Sequence, residues 1–554
     1  MDALGCLNDA QRRAVLASCP HLLIQAGPGT GKTRVLVSRI VHLLTARNLP
    51  HDAILAITFT RHAAQELVNR IKAACSVPVS CHTFHAWAYD FLRDWQSVFN
   101  STSMPFRLLQ EQEAAEICNR IAWELGLAKG RNWYGLLSEA RQFWPVALNT
   151  CELKQLFFAY QEYLQREGLW DYDHLLLEAL NVLQTSAGRD FFAGRTFHVL
   201  VDEFQDVNAV QYELLRQMAL AGANITAIGD ANQAIYGFRG ASPAFMQLFL
   251  QDLEGAECVS LQEVYRCPQV FLNAAQAVVC PSQEATLISA RGQGRAIELR
   301  VFDNAYQEAD WVAQEIEALA GGFSMERTEN AMSVGSLAEV AVLYRTHSVS
   351  DEIWRRLNEN GIPCARVQPK AVSQDLQLLL KGLTRQEFEE CANVQTYLGQ
   401  VLKRLGLQAP SPGLSAFLQL AEGVSNWEEL QELATDLSFL DTAMREPLAV
   451  GLEAVSMLSI HAAKGLEFSV VFLVGMEEGV LPLFSADEAE EARLCYVAMT
   501  RAKERLHVSW CRHRHSKQAP SNPSRFLERI LPYVVTKAEV GSRQRRRPKQ
   551  KRLF

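Results

Sequence analysis

The sequence predicts an α/β protein with two parallel-sheet cores, each interrupted by a helical insertion. Short apolar strands alternate with helical stretches near the N-terminus, and this alternation returns twice further along the chain. The stretches in between are rich in helix-forming residues and have almost no strand signal. Because parallel strands need crossover connections, the alternation predicts parallel sheets with helices on their faces.

The predicted domain boundaries follow these changes of pattern, and 554 residues are too many for a single core. In chain order they are residues 1–90 (first core), 91–191 (helical insertion), 192–256 (first core), 257–367 (second core), 368–452 (short helical insertion), 453–538 (second core) and 539–554 (basic disordered tail). The strand Cys258–Leu261 is thereby assigned to the second core.

The composition, 48% apolar and 21% charged residues, is that of an ordinary soluble globular protein. No apolar run approaches the roughly 18 residues of a membrane span, and the N-terminus lacks the basic start and apolar stretch of a signal peptide. We therefore expect a cytoplasmic protein without a membrane partner. The thirteen cysteines include no Cys-x-x-Cys pair and are predicted to be buried thiols. Cys511, His513 and His515 are close in sequence, but such a group seldom forms a zinc site alone.

The net charge of −8 neither supports nor excludes a nucleic acid partner, because an enzyme can place positive charge along one groove. The charge is uneven, however. The segment Arg543–Arg552 has seven Lys or Arg among ten residues. It is predicted to be a solvated arm that contacts nucleic acid or an acidic partner.

The motif AGPGTGKT, Ala26–Thr33, follows a predicted strand and precedes a predicted helix. This is the context of a phosphate-binding loop, in which backbone N–H groups and the positive end of a helix hold an anion. Lys32 can reach the outer phosphates, and the Thr33 hydroxyl can bind Mg²⁺. The motif departs from the G-x-x-x-x-G-K-[ST] pattern at Ala26, where Gly is usual.

Polar residues follow two later strands of the first core. In VDEFQD, Asp202 is expected to hold Mg²⁺ and Glu203 to orient or deprotonate a water molecule. In GDANQAIYGFRGA, Asp230 and Gln233 are expected to sense a γ-phosphate.

The same motif carries Tyr236, Phe238 and Arg239. Aromatic rings beside an arginine are typical of proteins that stack bases of single-stranded nucleic acid. A pair of core aromatic residues is the alternative, and this segment alone leaves both open.

Two arginines of the second core, Arg266 in LQEVYRC and Arg501 in AMTRAK, can compensate charge on a transferring phosphate. A single arginine is more often a solvated surface charge, so these two assignments depend on wider similarity.

The ordered series of motifs resembles the UvrD/Rep/PcrA-type DNA helicases of superfamily 1A. The resembling segments are LNDAQRRAV (Q motif), AGPGTGKT (I), ITFTRHAAQEL (Ia), HTFHAWAYDFLR (Ib), VDEFQD (II), IGDANQAIYGFRGA (III), LQEVYRC (IV), LSIHAAKGLEFSVVFLVGMEEGVLP (V), EEARLCYVAMTRAK (VI) and the closing helix PSRFLERI. The resemblance covers both cores and implies that they are RecA-like P-loop NTPase cores.

The resemblance also implies roles for the matching residues. The ATP-binding set is Gln11 on the adenine, Arg34 and Tyr265 flanking the base, Ala26, Gly27, Pro28, Gly29, Thr30, Gly31, Lys32 and Thr33 around the phosphates, and Glu467 near the sugar. The catalytic set is Lys32, Asp202, Glu203, Gln233, Arg266 and Arg501, with Thr33 and Asp202 on Mg²⁺. The DNA-binding set is Phe59, Thr83, His85, Tyr236, Phe238, Arg239 and His461.

Four departures from the family pattern are visible. Val264 stands where motif IV usually has Asn, Phe238 where motif III usually has Trp, and Ala463 where motif V commonly has Ser. The second insertion, about residues 368–452, is short for this family.

The resemblance implies an ATP-dependent DNA helicase that moves 3′ to 5′ on single-stranded DNA, with ATP and Mg²⁺ as cofactors. Its expected partners are single-stranded DNA and single-strand/duplex junctions, with a nuclease or a repair or replication protein left open. The alternative is a DNA-stimulated ATPase that serves as a sensor or remodelling subunit without unwinding. A P-loop kinase is disfavoured because it leaves the second core unexplained. DNA repair, replication and defence all stay open as pathways.

Overall fold

The computed structural model describes residues 5–75, 77–99, 107–128, 131–280, 287–320, 335–366, 393–405, 453–484, 486–514 and 520–536, with positions 379, 383, 387, 388, 391, 418, 421 and 430. By its internal contacts the chain divides into two compact units. The first unit is Met1–Gln262 with Val367–Leu448, and the second unit is Glu263–Arg366 with Ala449–Phe554. The finer boundaries of cores and insertions stay a prediction.

Strands and helices alternate through both units. The strands are β1 (His21–Ala26), β2 (Ile54–Thr58), β3 (Ser80–Thr83), β4 (Arg107–Leu108), β5 (Leu169–Trp170), β6 (His198–Val201), β7 (Asn224–Gly229), β8 (Ala256–Leu261), β9 (Glu263–Val264), β10 (Ile288–Ser289), β11 (Ile297–Asn304), β12 (Val340–Tyr344), β13 (Cys364–Arg366), β14 (Val455–Ser459), β15 (Phe468–Leu473), β16 (Ala502–His513) and β17 (Val534–Thr536). The helices are α1 (Asp9–Leu16), α2 (Lys32–Thr45), α3 (Arg61–Cys75), α4 (Phe84–Phe99), α5 (Glu111–Glu124), α6 (Trp133–Ala140), α7 (Cys151–Glu167), α8 (Tyr172–Gln184), α9 (Ser186–Ala193), α10 (Ala209–Leu220), α11 (Ala244–Asp252), α12 (Gln269–Val279), α13 (Ala305–Leu319), α14 (His347–Glu359), α15 (Val394–Arg404), α16 (Glu488–Met499) and α17 (Arg525–Ile530).

The first unit is built on a six-stranded parallel sheet in the order β3-β2-β6-β7-β1-β8. Its central strands are largely apolar; β2 and β6, for example, are fully buried along their length. Strands that are covered by helices on both faces read as continuous apolar runs, and the sequence shows such runs here. The predicted α/β class is confirmed.

One strand lies in a different sheet from the one predicted. Strand β8 pairs in parallel with β1, from His21 opposite Ala256 to Ala26 opposite Leu261. The segment Cys258–Leu261 therefore belongs to the first sheet, and its assignment to the second core was wrong. Three of its six residues are exposed because β8 is an edge strand, so the local pattern has no information about which sheet it completes.

The helices that follow β3 contribute to two separate hydrophobic cores. Helices α4, α8 and α9 pack on the first sheet through side chains such as Trp87, Phe91 and Phe192. Helices α5, α6 and α7 form a core of their own, with Leu137, Leu156 and others at zero exposure. The block is helical as predicted, apart from the two-residue parallel pair of β4 with β5.

The second unit contains a seven-stranded parallel sheet in the order β13-β14-β12-β15-β16-β11-β17. Helices α13 and α14 pack on it through a buried apolar core. Helix α15, which belongs to the first unit, falls in the predicted second insertion, where Tyr397, Leu398 and Val401 form a small core. The basic tail and most of residues 368–452 lie outside the described residues.

The cysteines are less buried than predicted. All thirteen are free thiols, but only Cys118, Cys267, Cys495 and Cys511 are buried, and Cys6, Cys151 and Cys258 are exposed. The prediction of buried thiols was wrong for the others because several lie on edge strands or helix surfaces. His515 lies outside the described residues. Among the residues described, no helix has the length and apolar character needed to cross a bilayer.

Candidate functional site

The loop between β1 and α2 has the geometry of an anion-binding turn. Gly29 and Gly31 adopt left-handed backbone angles, with φ of 69° and 85°, which side chains rarely tolerate. Thr30 Oγ1 donates to the main-chain oxygen of Gly27 at 2.9 Å and closes the turn. Lys32 opens α2 and donates through Nζ to the oxygens of Ala26 and Gly27, at 3.3 and 3.4 Å. The loop thus ends at a helix N-terminus, where partial positive charge favours phosphate.

The unusual Ala26 is accommodated in the core. Its side chain is 3% exposed and packs among Leu22, Ile24 and Val35. A methyl group at this position therefore adds buried apolar contact.

Gln11 is a buried link between α1 and the loop. Its Oε1 accepts from the N–H of Asn8 at 3.1 Å as part of the capping box of α1. Its Nε2 donates to the main-chain oxygen of Thr30 at 2.9 Å. The family resemblance implies adenine recognition by Gln11. The structure adds that its amide oxygen caps α1 and its amide nitrogen bonds the phosphate loop, so the side chain connects the two.

Asp202 and Glu203 lie at the carboxyl end of β6. Glu203 has φ of 49°, an unusual left-handed conformation for a residue other than glycine. Its N–H donates to Asp202 Oδ1 at 3.0 Å. Burial raises the pKa of Asp202 to about 7, the negative charge of Glu203 adds to this, and Lys32 opposes it. Asp202, with its raised pKa, and the adjacent carboxylate of Glu203 form a site that favours a cation.

A chain of hydrogen bonds continues from Glu203 to the end of β7. Gln205 Nε2 donates to Glu203 Oε2, and Gln205 Oε1 accepts from the N–H of Asp230 at 2.9 Å. Asp230 Oδ2 in turn accepts from Gln233 Nε2 at 2.7 Å. Gln205, Asp230 and Gln233 are all buried. Sequence reasoning did not assign a role to Gln205. The available signal was its place in the motif VDEFQD, two residues after Glu203.

The aromatic residues expected to bind DNA come together in the first unit. Phe59 stacks on Tyr236, with ring centroids 5.4 Å apart and planes 16° from parallel. Tyr236 is 7% exposed, whereas Phe238 is 61% exposed. The Arg239 guanidinium lies over both Tyr236 and Phe238, at 5.7 and 5.4 Å from their ring centroids. One ring is therefore a buried support, and the other is largely exposed to solvent.

His85 and Thr83 lie near the start of α4. Thr83 Oγ1 accepts from the N–H of Ala86 at 3.2 Å, which caps the helix. The His85 ring lies 5.6 Å from that of Tyr172, a residue that sequence reasoning missed. Burial lowers the pKa of His85 to about 4, and the charge of Arg61 acts in the same direction. His85 is therefore neutral at physiological pH.

The remaining predicted residues lie in the second unit, except Arg34, which is exposed in the first turn of α2. Arg266 donates to Glu467 at 2.7 Å. Arg501 is 1% exposed, and its guanidinium donates to the main-chain oxygens of Val497 and Leu466. Tyr265 is 41% exposed and donates to Glu263, and His461 follows β14.

Comparison with known families decides the relationship of the chain. The model of the UvrD/REP helicase N-terminal domain matches residues 7–254. The model of the UvrD-like helicase C-terminal domain matches residues 259–371 and 414–513. The chain belongs to the UvrD/REP helicase family. The two parallel sheets are those of its RecA-like cores.

Individual UvrD/REP relatives match over nearly the whole chain. ATP-dependent DNA helicase PcrA of Leuconostoc citreum is 28% identical, covering 97% of this chain and 86% of the relative. DNA helicase II of Escherichia coli K12 is 29% identical, covering 95% and 87%. ATP-dependent DNA helicase UvrD2 of Mycobacterium bovis is 30% identical, covering 98% and 84%.

Proposed function

We propose that this protein is an ATP-dependent DNA helicase that translocates on single-stranded DNA in the 3′ to 5′ direction. The observation that carries the proposal is the hydrogen-bonded series Glu203–Gln205–Asp230–Gln233 at the ends of two neighbouring strands, in a unit that also holds the phosphate loop. The relatives named as ATP-dependent DNA helicases support the DNA substrate.

ATP is bound by the first unit, with its phosphates on the N–H groups of Gly29, Gly31 and the start of α2. Lys32 neutralises the outer phosphates. Arg34 and Tyr265 flank the base, while Gln11 connects the adenine end to the loop through Thr30.

The residues of the first unit fit a Mg²⁺ ion. Thr33 offers a hydroxyl and Asp202 a buried carboxylate, both hard oxygen ligands. Burial and, to a smaller extent, the charge of Glu203 raise the pKa of Asp202, and a bound divalent cation would favour its ionised form. Bound Mg²⁺ supplies neutralisation of phosphate charge, while Glu203 orients the attacking water and Gln233 senses the γ-phosphate.

The second unit contributes Arg266 and Arg501, which we propose stabilise the charge that develops on the transferred phosphate. Glu467 is proposed to contact the sugar. Coupling of ATP turnover to movement on DNA follows if these residues act only while ATP is bound.

The DNA strand is proposed to run over the exposed ring of Phe238 and the guanidinium of Arg239, supported by Tyr236 and Phe59. We propose that the DNA strand also contacts Thr83, His85 and His461. Stacking on aromatic rings tolerates any base sequence, which suits a translocating enzyme. The same proposal includes binding to single-strand/duplex junctions, a nuclease or repair protein as partner, and a cytoplasmic location.

Unwinding of paired 3′-tailed and 5′-tailed duplexes with Mg·ATP tests the proposal. We expect release of the 3′-tailed strand only, and no DNA-stimulated ATP hydrolysis by Lys32→Ala. Lys154→Ala, an exposed lysine on α7, is the control and should behave as the wild type. Hydrolysis without strand release from either substrate would favour the sensor subunit, and full hydrolysis by Lys32→Ala would contradict the assigned ATP site.

A further inference from the structure

Gln205 joins the two strand ends that carry the proposed ATPase chemistry. Its side chain has zero exposure. The amide nitrogen donates to the carboxylate of Glu203, after β6, and the amide oxygen accepts from the N–H of Asp230, after β7. A single buried side chain thus connects the expected water-orienting acid with the strand end that carries Gln233.

The fit around Gln205 leaves little freedom. A Cβ at position 229 would lie 2.5 Å from Gln205 Oε1, so the neighbouring strand needs Gly229 for this approach. Gln205 lies in the turn Phe204–Asp206, whose Phe204 is fully buried and packs edge-on against Phe249. The turn is therefore anchored in the core, and the amide of Gln205 is held in one orientation.

The backbone of Glu203 is constrained by its conformation and by a hydrogen bond. Its backbone adopts φ of 49°, and its N–H is bonded to Asp202. An acid that orients water must be placed within a few tenths of an ångström, because misplacement by about 1 Å can cost 10²-fold in rate. The bond from Gln205 reaches the carboxylate itself, which the backbone bond to Asp202 does not.

We propose that Gln205 is a positioning residue for Glu203, and that through Asp230 it makes the position of Glu203 depend on the strand end that bears Gln233. This inference rests on the proposed function, because it assumes that Glu203 acts on ATP. The contact that a γ-phosphate makes with Gln233 is then transmitted to the acid through Asp230, by its carboxylate and its main-chain N–H, and through the side chain of Gln205.

Two substitutions at position 205 separate the two bonds. Gln205→Glu keeps an acceptor for the Asp230 N–H and removes the donor to Glu203, whereas Gln205→Leu removes both. We expect each to lower the kcat of DNA-stimulated ATP hydrolysis by about 10- to 100-fold, with the KM for ATP within about threefold of the wild type. A fall in binding with kcat unchanged would overturn the proposal.

Gln217 provides a matched control in the same unit. It is also buried, donates through Nε2 to Glu213 at 2.8 Å, and accepts from Arg189. Gln217→Leu and Gln217→Glu therefore make the same chemical changes on α10, outside the proposed site. We expect them to lower thermal stability as much as the Gln205 variants do and to leave kcat at the wild-type level. Equal losses of kcat at both positions would show a general effect of buried glutamines and overturn the proposal.

A double-mutant cycle with Glu203→Gln tests whether Gln205 acts through Glu203. If Gln205 acts through Glu203, adding Gln205→Leu to Glu203→Gln should change the residual rate by less than about twofold. A further tenfold loss would mean that Gln205 acts elsewhere. Wild-type protein that fails to hydrolyse ATP would remove the proposed function together with this inference, whereas active wild type with an equally active Gln205→Leu would remove the inference alone.

Discussion

Arg266 donates through Nε to Glu467 Oε2 at 2.7 Å, so two residues expected to act on ATP are bonded to each other. Lys503 holds the other oxygen of Glu467, with Nζ to Oε1 at 2.8 Å. Burial works to raise the pKa of Glu467, but Lys503 and Arg266 outweigh it and hold the pKa below its ordinary value. If Arg266 assists hydrolysis as proposed, its guanidinium is either shared between the carboxylate of Glu467 and a phosphate or exchanged from the first to the second.

Replacing Lys503 should strengthen the hold of Glu467 on Arg266. With Lys503→Met, the carboxylate has lost one of its two cations, and moving Arg266 to a phosphate becomes costlier. We expect kcat for ATP hydrolysis to fall severalfold in steady-state assays, with Lys154→Met as the exposed-lysine control. An unchanged or faster kcat would show that the Arg266–Glu467 pair does not restrain the reaction.

Gln11→Glu should weaken ATP binding without unfolding α1. The new side chain keeps the acceptor for the Asn8 N–H but presents a carboxylate oxygen to the oxygen of Thr30. Two acceptors repel, so the loop shifts, and we expect the KM for ATP to rise about tenfold. Gln211→Glu makes the same change in the equivalent capping box of α10 and is the control. Equal KM values in the two variants would contradict the link.

Phe238→Ala should weaken binding of single-stranded DNA. Stacking of a base on an aromatic ring contributes about 1–3 kcal/mol, so we expect a loss of about fivefold or more in affinity, measured by fluorescence anisotropy. Phe238→Trp keeps a stacking face and should bind at least as well as the wild type. Phe158 on α7 is exposed to the same extent, 62% against 61%, and Phe158→Ala controls for loss of a surface ring.

His198 makes the protein sensitive to acid. Burial lowers the pKa of His198 to about 3, and the charges of Arg39 and His21 act in the same direction. Below about pH 6.5 the unfolded chain binds a proton that the folded chain refuses, so stability falls as the pH falls from about 6.5 towards 3. The loss is about 1.4 kcal/mol per pH unit at most.

His198→Gln keeps a partner for Thr226 Oγ1, which lies 3.1 Å from His198 Nε2, and removes the proton-linked loss. We expect the melting temperature of the variant to fall less than that of the wild type between pH 7.5 and pH 5.5. His51→Gln, at an exposed position, should follow the wild type. An equal fall in melting temperature for all three proteins would refute the contribution of His198 to acid sensitivity.

The basic segment Arg543–Arg552, which lies outside the described residues, stays a prediction as a nucleic acid arm. Replacing its seven Lys and Arg by Gln should flatten the dependence of log K on log salt for single-stranded DNA. Each lost phosphate contact reduces the slope by about 0.7. A slope equal to that of the wild type would point to a role other than DNA contact.

The sequence predicted the features that are local in the chain. The loop glycines and the alternation of strands and helices are read within a few residues, and the structure confirms an α/β fold with two parallel sheets. The sheet assignment of β8 failed because the partner of an edge strand is decided by packing far along the sequence. The helical second insertion could be predicted only as a block, because its pattern has few strong signals.

Candidate site residues can be proposed from the sequence one by one, but the contacts between them cannot. Motifs identified Glu203, Gln233, Arg266 and Glu467, yet nothing in them indicated that Arg266 pairs with Glu467 or that Gln205 joins two strand ends. Such contacts depend on which side chains meet across neighbouring strands, and parallel strands that are adjacent in a sheet are often far apart in sequence. Gln11 was expected to read adenine, and its bond to Thr30 is visible only once α1 is placed beside the loop.

The strand order of the second sheet has a consequence for synthesis on the ribosome. Strands β11, β12 and β13 are made first, but none neighbours another in the finished sheet, because each pairs only with strands that begin at Val455 or later. The first sheet, by contrast, has all six strands once Leu261 has been added. A nascent chain stalled before Val455 therefore exposes three unpaired strands, including the wholly apolar β12, and should be a client for chaperones and prone to aggregate.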